Sequence, residues 1–147
     1  MNSNVLASDR VTLAAVIDPD ATAAGAVSSG WVSMVDFDNI MAVAMAGTLG
    51  TSATLDAKLE QATNSSGAGV KDITGKAITQ LVKATDDDKQ AIINCRAEEL
   101  DVENSFTHVR LTITVGTATS DAGGFIVGMN GRYQPVADAA TVAEVVA

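Results

Sequence analysis

The sequence predicts an all-β fold, a single antiparallel β-sandwich with extended N- and C-terminal arms. Several segments alternate apolar and polar residues with a period of two, which is typical of half-buried strands. Clusters of Gly, Asn, Asp and Ser separate these segments at short intervals, as expected for turns between strands. The chain of 147 residues has the length of one domain, and no segment shows a convincing long helical period.

The first third of the chain contains three strand candidates. A strand is predicted from Arg10 to Ile17, closed by the turn pair Asp18-Pro19 and followed by a loop. A second strand is predicted over Trp31–Phe37, where residues alternate in character. Asn39–Gly47 is apolar at both odd and even positions, which predicts a central strand buried on both sides.

The next segment allows two interpretations. Leu55, Ala57 and Leu59 alternate with charged residues, which indicates a half-buried strand. Leu55, Leu59 and Ala62 also share one face of a helix, and the intervening residues are good helix formers. We favour the strand, because the neighbouring segments are strands and no N-cap box precedes this one.

Turns and strands continue beyond this point. Asn64–Gly69 is predicted as a connection, and Gly75 as a break before another strand. Thr85–Lys89 is predicted as a polar hairpin tip leading into a strand over Gln90–Arg96. Ala97–Ser105 is expected to form a helical turn or an irregular crossover.

The clearest strand follows. Between His108 and Val115, four aliphatic residues point one way and polar residues the other. Gly116–Gly124 is predicted as a turn, and Phe125–Tyr133 as a last strand with glycines at bulge-like positions. About eight strands at this spacing predict a jelly-roll-like sandwich over residues 10–133, with arms over 1–9 and 134–147.

Composition narrows the classes of partner. The formal charge of −9 and the nine dispersed basic residues disfavour nucleic-acid binding. The longest apolar run, Ile40–Gly47, is far shorter than a membrane span, so we expect no membrane insertion. The first residues lack the basic start and apolar stretch of a signal peptide, and we expect synthesis in a cytoplasm.

No residue set predicts an enzyme or a cofactor site. Cys95 lies in an apolar strand and is expected to be inert, and His108 is expected at the surface. No phosphate-binding loop and no zinc-ligand spacing occurs in the sequence. The triplet Asp86, Asp87 and Asp88 is interpreted as a charged tip, and weak cation binding by it stays open.

The segments "KLEQAT", "DITGKAI", "AEELD" and "FTHVRLTITV", spread over Gly47 to Tyr133, carry a resemblance. In this arrangement the chain resembles small structural proteins encoded among the head genes of tailed bacteriophages and prophages. The resemblance implies a virion component, with a capsid decoration (cement) protein on the outside of the head as the leading interpretation. Its partners would be the major capsid protein and further copies of itself, as a homotrimer.

Two alternatives remain at this stage. A head–tail connector or tail protein fits the same resemblance, and a carbohydrate-binding β-sandwich is the alternative of another class. The latter usually offers aromatic platforms for sugars, whereas Trp31 and Tyr133 are the only Trp and Tyr in the chain. For the leading interpretation, contacts with neighbouring subunits are expected from apolar residues of the two arms. These residues are Val5, Leu6, Val142, Val145 and Val146.

Overall fold

A computed structural model of the protein describes residues 4–133 and 136–146. Its strands are β1 (Val11–Thr22), β2 (Gly25–Ser28), β3 (Val32–Ser33), β4 (Phe37–Ala46), β5 (Thr54–Ala62), β6 (Lys71–Ala77), β7 (Leu81–Val82), β8 (Gln90–Arg96), β9 (His108–Gly116) and β10 (Ser120–Gly131). Within the described residues the helical elements are three single 3₁₀ turns, Ala7–Asp9, Ala97–Glu99 and Val102–Asn104. The all-β prediction is confirmed.

The strands form two antiparallel sheets. The four-stranded sheet has the order β1-β10-β4-β8, and the other sheet has the order β2-β9-β5-β6, with β3 beside β9 and β7 beside β5. Leaving out the short β3 and β7, the hydrogen-bonded pairs are nested: β1 with β10, β2 with β9, β4 with β8, and β5 with β6. One long hairpin has thus rolled up into two sheets, which defines a jelly roll and confirms the predicted sandwich.

The alternating strands lie as predicted. In β9, Val109, Leu111, Ile113 and Val115 are at most 1% exposed, and their side chains form the middle of the core. In β5, alternate residues from Leu55 to Leu59 are buried, so this segment is a strand and the helical alternative is wrong. β5 pairs with β9 along its whole length and with β6 and β7 on its other side. This pairing favours the strand over the helix, because it provides hydrogen-bond partners for the backbone on both sides.

Two glycines in β10 leave room for atoms of the neighbouring strand and of the opposite sheet. A Cβ atom on Gly128 would lie 2.3 Å from the ring of Phe37, and one on Gly124 would lie 2.6 Å from the carbonyl oxygen of Val43. Gly124 also faces the Leu111 side chain of the opposite sheet. The predicted bulge-like position is wrong for Gly128, which pairs in register with Ile40 and whose missing side chain makes room for packing, whereas Gly124 lies in the segment expected as a turn.

Several predicted boundaries in the first third are wrong. Asp18-Pro19 does not end β1, which continues to Thr22 with a register shift between Ile17 and Asp20. The expected loop after it contains β2. Trp31–Phe37 is not one strand: Val32 and Ser33 form β3, a turn follows, and Phe37 already begins β4.

Other boundaries differ later in the chain. Gly75 does not interrupt the chain between strands but lies inside β6, with φ of +76° at a register shift against β5. Thr85–Lys89 is not a hairpin tip, since it connects β7 of one sheet with β8 of the other. Ser120–Gly124, expected in a turn, belongs to β10. The described residues contain ten strands rather than about eight, because β2 lies in an expected loop and β6 and β7 replace one expected strand.

Candidate binding surface

The outer side of the four-stranded sheet is covered by apolar side chains. Two cross-strand rows illustrate this: Leu13 beside Val127 and Met41, and Val16 beside Phe125, Val43 and Ile92. Residues paired in this way share one side of a sheet, and their sequence neighbours Ala15, Ile126 and Ala42 point into the core. We call the resulting surface the apolar face; it comprises Val11, Leu13, Val16, Met41, Val43, Met45, Ile92, Phe125, Val127 and Met129.

The apolar face is open to solvent in the isolated chain. Ile92 is 59% exposed and Val11 39% exposed, whereas Val43 at the centre is screened by its neighbours to 8%. The remaining members are half-buried. Gln90, Asn94 and Arg96 border the face on β8, and none of its ten members carries a charge. A contiguous apolar surface of this kind is typical of an interaction site.

The outer side of the other sheet has the opposite chemistry. Glu60 lies near its middle, and its carboxylate accepts hydrogen bonds from Arg110 Nε at 2.7 Å and from Thr112 Oγ1 at 2.9 Å. Lys58 Nζ lies 3.2 Å from the same carboxylate and donates to Asp72 at 2.6 Å. We call this surface the polar face; its charges are balanced within the chain.

The pKa of Glu60 reflects these contacts. Burial by itself raises the pKa of the Glu60 carboxyl, but hydrogen bonds from Arg110, Thr112 and Lys58 outweigh it and hold the pKa below its ordinary value. The Arg110 guanidinium also lies 4.6 Å from the ring centroid of Trp31. Trp31 is thereby engaged by its own chain, which makes it a poor platform for a sugar.

The C-terminal segment contacts the free edge of β1. The Leu13 N–H donates to Asp138 Oδ1 at 2.8 Å, and the Leu13 carbonyl accepts a bond from the Ala139 N–H at 2.7 Å. Val136 packs against the core cluster. The segment therefore covers part of an otherwise unpaired sheet edge, which is where strand addition by another chain would occur.

The predicted contact residues of the arms lie away from the core. Leu6 is 46% exposed beside the turn Ala7–Asp9, and Val5 is half-buried. Val142 is half-buried, Val145 is 53% exposed and Val146 is 83% exposed. The contacts of these residues with other subunits stay a prediction, and so do the boundaries of the two arms. Residues 1–3, 134, 135 and 147 of the arms lie outside the described part of the chain.

The remaining candidate residues are Cys95, His108 and Tyr133, and they differ in exposure. Cys95 is 1% exposed on the core side of β8, and burial raises the pKa of its thiol to about 11. His108 is half-buried rather than at the surface; burial lowers its pKa, and its Nδ1 lies 2.9 Å from Thr107 Oγ1. Tyr133 is 85% exposed.

Two aspartates of the triplet accept backbone hydrogen bonds at the connection between β7 of one sheet and β8 of the other. Asp87 Oδ1 accepts a hydrogen bond from the Leu49 N–H at 3.0 Å, and its other oxygen pairs with Lys83 Nζ at 2.5 Å. Asp86 accepts a hydrogen bond from the Val82 N–H at 2.9 Å.

Among the described residues, no group of three or more His, Cys, Asp or Glu side chains is arranged to hold a metal ion. In the same part of the chain, no helix has the length and apolar character needed to cross a membrane.

A groove of about 590 Å³ lies at one end of the sandwich. Val35 and Val102, which are 53% and 61% exposed, give it apolar walls. Its charged groups are engaged with one another: Arg96 with Glu98 at 2.9 Å, and Arg132 with Asp38 at 3.9 Å. The groove has the volume of a small-molecule site but presents its charges already paired.

The apolar face is not among the features predicted from the sequence. The double-sided apolar pattern of Asn39–Gly47 predicts a central strand buried on both sides. β4 is indeed central, between β10 and β8, but the domain covers only one side of its sheet. The signal was present in three strands at once, since β1, β4 and β10 all carry apolar residues at their outward positions.

No protein-family model matches the chain, and no curated protein is similar to it. Among solved structures, a chain of the cowpea mosaic virus empty virus-like particle shares 9% identity with a TM-score of 0.47, covering 95% of this chain and 91% of that one. A chain of broad bean stain virus shares 7% identity with a TM-score of 0.47, covering 95% and 96%. TmCBM61 in complex with β-1,4-galactotriose shares 10% identity with a TM-score of 0.33, covering 74% and 66%.

At these identities the likeness concerns the fold alone. The nested strand pairs themselves place the chain among jelly-roll domains, a class that includes viral capsid and lectin domains. Since one fold hosts many functions, the function has to be argued from surfaces.

Proposed function

We propose that this chain is a structural protein of a virus particle, and specifically a capsid decoration protein on the outside of a tailed-phage head. The observation that carries the proposal is the apolar face, a broad uncharged surface that the chain leaves uncovered on an otherwise acidic molecule. Such a surface is suited to lasting burial in an assembly. The sequence resemblance to phage head proteins supports the same conclusion.

In this proposal the sandwich is the body and the arms are straps. The protein associates as a homotrimer, and Val5, Leu6, Val142, Val145 and Val146 contact the major capsid protein. Ordering an arm costs ~1–2 kcal/mol of backbone entropy per residue, more than a few valines return by burial. Strand addition at a sheet edge supplies the difference, as the contact between Leu13 and the 136–139 segment illustrates within one chain.

The test is capsid binding by truncated proteins. Deleting residues 1–9 together with 136–147 should leave the sandwich folded by circular dichroism, yet reduce occupancy on purified capsids and lower the capsids' resistance to heating. The full chain and each single truncation serve as controls. Full occupancy by the doubly truncated protein would contradict the strap mechanism.

Counting copies in the particle separates the proposal from its nearest alternative. A decoration protein occurs in many copies over the shell, whereas a head–tail connector forms one ring of few copies. Quantitative mass spectrometry of purified particles gives the ratio to the major capsid protein. A ratio that corresponds to a single ring would replace decoration with a connector role, and absence of the chain from particles would overturn the assignment.

A further inference from the structure

We infer that the apolar face is covered by a second copy of this chain when the protein is assembled. The inference deepens the proposed function and rests on it in one respect: the shell brings copies from neighbouring trimers together, because two like faces pair across a two-fold axis that a single trimer does not contain. Three features of the molecule indicate this occupant: the position of the chain's own tail, the distribution of charge and the size of the face.

The chain's own tail does not cover the face. Asp138 and Ala139 hold the C-terminal segment at the edge of β1 through their bonds to Leu13. Beyond them, Val145 and Val146 remain 53% and 83% exposed. If these valines lay on the apolar face, they would be buried against it. The described part of the tail therefore leaves the face open to another molecule.

If two copies of the chain associate, the distribution of charge favours contact through the apolar face rather than through the other surfaces. The protein carries a formal charge of −9, so two copies repel each other when their acidic surfaces approach. The ten members of the apolar face carry no charge; its border on β8 consists of the neutral Asn94 and Gln90 and of Arg96, whose charge is paired with Glu98 at 2.9 Å. Two copies can bring these faces together without burying an unpaired charge, which would be costly.

The size of the face sets the strength of the contact. Four strands about 4.8 Å apart and about seven residues long give a surface of ~19 by ~23 Å, or roughly 450 Å² per copy. This is about half the ~800 Å² per partner of a standard interface, so the contact between two copies is weak in solution. On a shell, neighbouring sites hold copies at high local concentration, and a weak contact then suffices.

Sedimentation of the full-length protein tests the inference. From about 10 µM to about 1 mM, the wild type should shift from monomer to a larger species, because a dissociation constant in this range corresponds to a weak interface. Ile92→Lys, at the most exposed position of the face, and Met41→Lys, near its centre, should each weaken association at least ten-fold. Val70→Lys is the matched control, since Val70 is 47% exposed beside β6 of the other sheet and should change nothing.

The outcomes separate the inference from the proposed function. Circular dichroism and thermal melting of each variant confirm that it is folded, and Ile92→Lys preserves the test if Met41→Lys unfolds. A wild type that stays monomeric to about 1 mM, or association that Ile92→Lys leaves intact, overturns the inference while capsid binding stays a separate question. If the lysine variants abolish capsid binding even at saturating concentration, the face docks on the shell, and a second copy is the wrong occupant.

Discussion

The two outer faces of this sandwich differ although they belong to one domain and enclose one core. The polar face is complete within the chain: Glu60 receives hydrogen bonds from Arg110 and Thr112, and Lys58 connects it to Asp72. The apolar face has no such internal partners, because its side chains can gain only from burial. One sheet therefore pairs its outer polar side chains within the chain, whereas the other leaves its outer apolar side chains exposed.

The comparison also separates stability from assembly. Residues on the inner side of either sheet contribute to folding by burial, at ~1.5–3 kcal/mol for a large aliphatic side chain. Residues of the apolar face are already half-exposed in the folded chain, so they return less of this free energy until another surface covers them. The first two predictions below compare residues that point to opposite sides of one strand, and the third concerns the ion pairs of the polar face.

The largest expected effect is on thiol reactivity across β8. Cys95 points into the core and Ile92 points outward, so wild type should show no native labelling by a thiol reagent and one reactive thiol after denaturation. Burial raises the pKa of Cys95 to about 11, which further suppresses the thiolate. Ile92→Cys should label at least ~100-fold faster than Cys95 at about 1 µM protein. Rapid native labelling of wild type would contradict the burial of Cys95.

The next effect concerns stability across β10. Ile126, on the core side, is fully buried, and Ile126→Ala should lower the free energy of unfolding by ~2–5 kcal/mol because it leaves a cavity. The adjacent Val127 lies on the apolar face, and Val127→Ala should cost less than ~1 kcal/mol in the monomer. Urea unfolding at a few micromolar protein measures both. Equal losses would mean that the apolar face is already covered in the isolated chain.

The smallest effect is at the polar face and depends on pH. Arg110→Met removes a donor from Glu60 and should cost ~1–3 kcal/mol at pH 7. Because the folded-state pKa of Glu60 lies below its ordinary value of 4.5, its stabilisation is present above that pH and is lost as pH falls through the folded pKa. The difference from wild type should therefore narrow below pH 4.5.

The control for this prediction is Arg132→Met. Arg132 and Asp38 are more than half exposed and 3.9 Å apart, so their contact should contribute at most ~1 kcal/mol. Unfolding curves for both variants, measured at several pH values, provide the comparison. A pH-independent loss in Arg110→Met would assign the effect to its contact with Trp31 rather than to Glu60.

Sequence patterns predicted the elements whose two sides differ. β5 and β9 alternate strictly because one side meets the core and the other meets water, and both were predicted correctly. β4 was placed correctly as a central strand, but its outer side was assigned to the domain's own interior. An apolar residue covered by the same chain and one covered by a partner follow the same periodicity, so periodicity cannot tell them apart.

Turn signals were less informative. Asp18-Pro19 is a common turn pair, yet β1 accommodates it in an irregular stretch at the edge of its sheet, where Pro needs no partner for a missing N–H. Trp31–Phe37 alternates as a strand would, but only Val32 and Ser33 pair with β9. In both cases the position within the sheet decided the outcome, and that position depends on residues far away in sequence.

The nested pairing of the strands has a consequence for synthesis. The hairpin of β5 and β6 can close as soon as both strands have left the ribosome, but β1 pairs only with β10, the last strand to be made. At ~5–20 residues per second, β1 waits several seconds or longer with an unpaired edge and exposed apolar side chains. Closing the most distant pair last also makes folding slow, as is general for non-local β topologies. The nascent chain is therefore most exposed to misassociation just before its final strand emerges, a period in which a chaperone would have its greatest effect on yield.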